Sequence, residues 1–460
     1  MRLPLAVCRR AADHPLKTVF CVALLVRLAN LALLEGREAF FAETDTSLYW
    51  AIGTALASPA SLASTLLSMT DRMPLYPLLL GGAQSVFGDA PRMVALVQAV
   101  IDAGTCTLIA ALGALVSPLV GLVAGILAAL SVNLVVYSSQ ILTDTLFLFF
   151  FTLTLFAGAR FLRNPTSGLA VVAGLAGGLS VATRPAAAVL LAAAVPLVFL
   201  IAIVHRRGTA AAVAATFVFT LGAALPIAPV LVRNVLHYGT FSLTTQTGDH
   251  LAFWIVPLVT QRADGTPYQA TVDRMEALFK RRAAERGLGA QSNPFQLAAV
   301  KTEVAREEMA RLPLDAFVKA WLEGMVVNLG SPALLADPRV RALPKPSFYG
   351  APGRTLWQKS RAYLLDDPGL YQALLVVGLL TTLPFVVLEA IGLAVLARRL
   401  PWAAIFAFGV LAYFLLLNGP VATAKYRLPM EPVLIVLAAI PLAWLARRRC
   451  PHAAPTPAPR

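Results

Sequence analysis

About ten stretches of this chain are each long and apolar enough to cross a hydrocarbon layer, and they limit what it can fold into. They lie at roughly 16–34, 92–116, 118–137, 140–162, 168–183, 186–204, 209–232, 370–397, 402–418 and 428–446. An α-helix rises 1.5 Å per residue, so about 20 residues cover a bilayer core of about 30 Å. A backbone surrounded by lipid must satisfy its own N–H and C=O groups, which makes helices of these runs. The expected fold is an all-α polytopic membrane protein of about ten transmembrane helices. Composition agrees, because a chain that is 58% hydrophobic and 13% charged has too little polar surface to cover a soluble globule.

The net charge of +14 is distributed in short clusters between the apolar runs: Arg9/Arg10/Lys17, Arg160/Arg163, Arg206/Arg207, Arg398/Arg399 and Arg447/Arg448/Arg449. That is a positive-inside pattern, not a basic face for nucleic acid. Residues 74–87, a short apolar segment with Pro74 and Pro77, test the arrangement. If they do not cross, every cluster falls on one side; if they cross, all clusters after the first move to the opposite side. The expectation is therefore an interfacial or re-entrant helix on the outer face. Both termini then lie in the cytoplasm of a bacterial-type inner membrane, with a retained signal anchor at the N-terminus.

The outer face receives 35–91, the stretch around Ser138 to Asp144, the Thr183-Arg184-Pro185 turn, 233–369 and the loop from Asn418 to Arg427. The expected divisions are a transmembrane module over 1–232, an extracytoplasmic helical segment over 233–369, C-terminal transmembrane helices over 370–446, and a tail over 447–460 that is basic, then disordered. Within the helical segment Val272 to Arg286, Phe295 to Arg311 and Leu314 to Leu329 read as amphipathic helices, a small appendage. Cys8, Cys21, Cys106 and Cys450 lie near the termini or in apolar runs, so no disulfide framework is expected.

Polar chemistry collects on that outer face. Asp45 stands just past the first run and Asp144 opens the fourth. Each has an ordinary reading, a solvated loop residue or cap for one and an N-terminal dipole contact for the other. They share a face, however, with Arg72, Arg184, Arg233, Lys425 and Arg427. Arginines at helix mouths can simply reach for lipid headgroups; five cations converging with two carboxylates also suit an anionic lipid headgroup and an acceptor hydroxyl that needs a base. Asp249 and His250 follow the seventh run and could touch substrate or form a polar turn. Glu43-x-Asp45 is a weak chelating pair. No His/Cys cluster has metal-ligand spacing, so a divalent metal is possible but not indicated, and no cofactor is required.

In their order and topological position these elements resemble the GT-C superfamily. The likeness is to its family-39-like group of polyprenyl-phosphate-mannose mannosyltransferases and lipid A aminoarabinose transferases. The matching residues are Asp45-x-x-x-Tyr49, Arg72-x-Pro74-Leu75-Tyr76-Pro77, Leu142-Thr143-Asp144, Thr183-Arg184-Pro185, Arg233-Asn234 and Lys425-Tyr426-Arg427-Leu428-Pro429. The resemblance implies a GT-C-like bundle with outer-face interfacial helices. It also implies an inverting sugar transfer from a polyprenyl-phosphate donor to a lipid, glycan or protein acceptor. Asp45 would be the catalytic acid/base and Arg72 would touch the donor phosphate. Asp144 would be a second acidic position, with Arg184, Arg233, Lys425 and Arg427 as further phosphate ligands and Glu43, Tyr49, Tyr76, Asp249 and His250 near substrate. Many members carry Asp-Glu where this chain has Asp45-Thr46, which weakens a protein acceptor. The competing class is a transporter of lipid-linked sugar or polysaccharide, whose polar groups would sit at the membrane midplane.

Two charges fall inside apolar runs, where a lone charge is costly. Counting 1.5 Å per residue, Arg27 is about 15 Å from Lys17 and Asp102 about 15 Å from Arg92, which brings both to the midplane. They are expected to pair directly or through Gln98. The alternative is that Arg27 reaches for headgroups while Asp102, protonated, bonds a neighbour such as Asn30.

Overall fold

The computed structural model describes residues 14–41, 44–344, 358, 361–366 and 369–449. In chain order its main helices are α1 Pro15–Ala32, α2 Thr44–Ala57, α3 Pro59–Ser68, α4 Leu75–Phe87, α5 Pro91–Ala114, α6 Pro118–Leu130, α7 Val132–Ser138, α8 Asp144–Arg163, α9 Ser167–Thr183, α10 Ala188–Val204 and α11 Thr209–Tyr238. An appendage follows with α12 Gln246–His250, a π turn at Leu251–Ile255, α13 Val256–Asp264, α14 Tyr268–Glu285, α15 Pro294–Met309 and α16 Leu314–Gly330. The chain returns to the bundle through α17 Leu370–Arg399, α18 Pro401–Asn418 and α19 Glu431–Arg449.

Among the described residues, eight helices are long and apolar enough to cross a membrane, and α6 with α7 forms a ninth span bent by 50°. The bend has a local cause. Ser131 leaves the helical region at φ −61°, ψ 115°, and its side chain accepts the N–H of Leu134, so it ends one helix and caps the next. The tenth apolar run is α9, which is 17 residues long. It packs against α11 with almost no separation: a Cβ on Gly174 or Gly178 would collide with the carbonyl oxygens of Phe219 and Ala223. Small residues let helix backbones approach in this way where lipid supplies no hydrophobic drive.

The bundle has a basic end and a polar end. Arg163 at the end of α8 bonds the carbonyl of Leu115, Arg207 bonds Asn164, and Arg399 lines a cleft with Arg163, so these three basic clusters gather at one end. At the other, Arg92 bonds the carbonyl of Leu34, the N–H of Ile141 meets the carbonyl of Phe40 at 3.2 Å, and the hydroxyl of Tyr413 donates to the carbonyl of Ala186 at 2.6 Å. Helix α4 does not cross. Its N-terminal flank is tied by Arg72 to Asp45, and its C-terminal flank by Asp89, which accepts from Arg37 at 2.8 Å and from Trp50 at 3.0 Å. Both anchors belong to the polar end, and 13 residues reach only about 20 Å. Helix α4 lies on α2 through two glycines. A Cβ on Gly53 would stand 2.7 Å from Leu80 Cβ, and one on Gly81 2.9 Å from Leu56 Cβ.

Arg27 and Asp102 meet inside the bundle, with Arg27 Nε donating to Asp102 Oδ2 at 2.7 Å and both side chains fully buried. Arg27 also donates to the carbonyls of Ala128 and Ala129 and lies 3.2 Å from Cys106 Sγ, joining α1, α5 and α6. Gln98 is not a bridge between them, because it serves the polar end, and Asn30 accepts from Arg339 at 3.0 Å.

Candidate active site at the polar end

The site is built on the first turns of α2 and α8 and on the turns before α4 and α10. Arg72 donates to Asp45 Oδ1 at 3.1 Å and lies 3.4 Å from Asp71 Oδ2. Its guanidinium carbon stands 5.6 Å from the centroid of the Tyr49 ring. Tyr49 is one helical turn from Asp45, so α2 presents acid and ring on one side. The Tyr49 ring meets Tyr76 edge to face at 5.5 Å, and the Tyr76 hydroxyl donates to Gln98 Oε1 at 2.8 Å. Gln98 in turn donates to the carbonyls of Ser138 at 2.9 Å and Gln140 at 2.7 Å. One chain of contacts thus runs from Asp45 to the turn that opens α8.

At that turn Asp144 receives the Arg184 guanidinium on Oδ1. The Asp144 side chain is 1% exposed, and its Oδ2 is buried without a hydrogen-bond partner. It does not cap its own helix, since the bonded oxygen goes to Arg184. Asp45 differs: its side chain is 47% exposed. Arg72 Nε is a second buried atom left without a partner. An acceptor and a donor orphaned beside two ion pairs mark a place where a polar ligand would complete the hydrogen bonding.

Electrostatics link the two pairs. Burial pushes the Tyr49 phenol up to about 12, opposed by Arg72 and Arg184 and reinforced by Asp45 and Asp144. Burial also holds the Tyr76 phenol well above its ordinary range, with Tyr49 and Asp144 acting in the same sense. Neither tyrosine is an acid near neutral pH; each serves as a neutral surface or hydrogen-bond donor. His250 is held below its ordinary value, first by burial and then by the charge of Arg184. Arg184 also feels Tyr426, so the 424–427 turn reaches this neighbourhood. Lys425 on that turn is half-buried and makes no ion pair among the described residues.

The other candidate residues are placed differently. Arg233 donates to the carbonyls of Leu66 at 2.8 Å and Met69 at 2.6 Å and to Asn234, which holds the end of α3 under the Arg72 turn. Arg427 is buried between Glu389 at 2.5 Å and Glu431 at 2.9 Å and also bonds the carbonyl of Leu329. Asp249 is taken by Lys301 of α15 at 2.6 Å. Glu43 lies outside the described residues. Sequence reasoning passed over Glu389 and Asn133, whose amide donates to Glu431 at 3.0 Å. The signal was present in Glu389, a charge inside an apolar run like Arg27. No group of three or more His, Cys, Asp or Glu suited to a metal occurs among the described residues. Two clefts of about 280 and 550 Å³, lined by Arg163 and mainly by apolar residues, open at the basic end, away from these pairs.

Residues 71–232, from the Arg72 turn to the end of the seventh run, match the family model described as dolichyl-phosphate-mannose-protein mannosyltransferase. That match spans about a third of the chain. The matched segment holds Arg72, Asp144 and Arg184. A crystal structure of ArnT from Cupriavidus metallidurans in the apo state aligns with 94% of this chain and 78% of its own, at 15% identity and a TM-score of 0.36. That protein bound to undecaprenyl phosphate aligns with 95% and 80%, at 15% identity and a TM-score of 0.35. No curated protein matches the sequence.

Proposed function

We propose that this chain is a GT-C-type glycosyltransferase that transfers a sugar from a polyprenyl-phosphate donor to a lipid or glycan acceptor, on the extracytoplasmic face of a bacterial inner membrane. The observation that carries the reading is the pairing of a half-exposed carboxylate, Asp45, with Arg72, beside the buried Arg184–Asp144 pair. Asp45 Oδ1 is held by Arg72, and Oδ2 has no partner among the described residues. Oδ2 accepts the proton of the acceptor hydroxyl as its oxygen attacks the anomeric carbon. The bond to the phosphate breaks on the opposite side of that carbon, so the sugar inverts.

The leaving phosphate is an anion whose charge is met by Arg72, Arg184 and Lys425, which supply preorganised donors without a requirement for a divalent ion. Asp144 positions Arg184, and the Tyr49 and Tyr76 rings form an apolar wall between the two pairs. The test is release of polyprenyl phosphate and transfer of labelled sugar by Asp45→Asn in reconstituted vesicles. A fall of about 10²–10⁴-fold is expected for loss of a general base. A wild-type rate overturns the reading, and so does transport of the intact donor across the bilayer without cleavage.

A further inference from the structure

Helix α16, Leu314–Gly330, has three distinct faces. Ala316, Ala320, Gly324 and Asn328, each four residues from the next, are buried against the bundle. Asp315, Lys319 and Glu323 form an exposed polar row, in which Lys319 pairs with Asp315 at 2.8 Å and Glu323 with Arg262 at 2.5 Å. The third row is Leu314, Val318, Leu322 and Val326, exposed by 78%, 50%, 57% and 71%. A helix of a water-soluble appendage has no reason to place four large apolar side chains in a line facing out.

The position of the helix explains that row. Trp321 Nε1 donates to the carbonyl of Leu416 at 3.1 Å, and Gly324 packs so tightly on the carbonyl of Gly419 that a Cβ would collide with it. Six residues further on, a Cβ on Gly330 would stand 3.9 Å from Leu383 Cδ2. Leu416 is 15 residues from the start of α18 at Pro401, and Leu383 is 16 residues from the end of α17 at Arg399. At 1.5 Å per residue both contacts stand at about the same height, roughly 23 Å from the basic end. That is within a core of about 30 Å and near its far boundary. The helix therefore runs along the membrane surface, with neighbours Leu380, Leu383, Leu416 and Leu417 that are themselves exposed on the bundle exterior.

We propose that α16 is a membrane-surface helix whose Leu314, Val318, Leu322 and Val326 row is covered by phospholipid acyl chains of the leaflet at the polar end. The surface is continuous with the lipid-facing side of α17 and α18, and its polar row turns to the water side where α13 covers it. The same helix closes on the Lys425 turn, because Asn328 accepts from the N–H of Thr423 at 3.1 Å and donates to the carbonyl of Val421 at 3.2 Å. Lipid contact thus bears on the element that carries a cation to the candidate site. The placement stands whether or not the donor is a polyprenyl phosphate.

The test incorporates a photoreactive benzoylphenylalanine singly at 318, 322, 319 and 323 in the full chain, reconstituted in phosphatidylethanolamine–phosphatidylglycerol vesicles, and reads adducts by mass spectrometry. Phospholipid adducts are expected at 318 and 322, with loss of those adducts at 319 and 323. Equal labelling at all four positions overturns the proposal, as do adducts of 318 or 322 with another protein or another part of this chain. A Val318→Ser/Leu322→Ser double variant gives a second measurement. Faster trypsin cleavage at Lys319 in vesicles is expected, and an unchanged cleavage rate overturns the proposal.

Discussion

Asp45 and Asp144 are both met by an arginine, but their surroundings give the two pairs different weights. The Asp45–Arg72 pair is half-exposed on its acidic side, where water and salt leave an ion pair worth about 0–1 kcal/mol. Asp144 is buried with Arg184 against it, and removing one partner of a buried pair costs roughly 3 kcal/mol. Thermal unfolding in detergent is therefore expected to show Asp45→Asn close to wild type and Asp144→Asn clearly destabilised, while both lose sugar transfer. Equal stability of the two variants would contradict the assignment of Asp144 as the positioning partner. His250 gives a pH dependence. Its folded pKa is below the ordinary 6.5, so between those two values the unfolded chain binds the extra proton. Stability from this residue is present above pH 6.5 and is lost as pH falls below it. A His250→Gln variant is expected to flatten the slope of melting temperature against pH from 7 to 5, measured by scanning fluorimetry. Asp45, Asp144, Arg72 and Arg184 were legible from their place at run boundaries. The commitment of Arg427 to Glu389 was not, because it joins residues 38 positions apart that no local pattern relates.

At the scale of elements, the polar-end platform depends on how closely α2 and α4 approach. Gly81 and Gly82 are neighbours in sequence with opposite surroundings. A Cβ at Gly81 meets Leu56 Cβ at 2.9 Å and the carbonyl of Gly53 at 3.2 Å, while one at Gly82 meets nothing within 4 Å. Gly81→Ala is expected to lower stability by about 1–3 kcal/mol through overpacking. Gly82→Ala is expected to be neutral or to raise stability by up to about 1 kcal/mol, because alanine is the better helix former. Proteolysis rates of the two variants in detergent measure the difference; the same sign for both would show that α2 and α4 are not packed through this contact. The amphipathic pattern of 268–330 made the appendage helices visible in sequence, with starts displaced by up to four residues. The helices over 246–264 were missed because a π turn at Leu251–Ile255 interrupts their period. The break at Ser131 was missed because a serine in an apolar run looks the same whether it caps a helix or lies within one.

At the scale of the whole molecule, the basic clusters at Arg163, Arg207 and Arg399 gather at one end and the candidate site at the other. By the positive-inside rule that basic end is expected to face the cytoplasm. Alkaline phosphatase fused after Arg207 is expected to be inactive, and fused after Gly289 to be active; the reverse would turn the molecule over and move the site to the cytoplasmic face. The sequence by itself determined the helical class, the approximate spans and their alternation. Each depends on the local free energy of apolar residues and charges in a bilayer, which needs no knowledge of neighbours. It also brought Arg27 and Asp102 to one depth, since height along a helix is a matter of counting. Only the tertiary structure decided that they bond directly, that Gln98 serves the polar end instead, and that α16 packs through Gly324 on Gly419. Those outcomes depend on the rotation of each helix about its axis and on which neighbours it packs against, which hydropathy along the chain leaves open and side-chain packing settles.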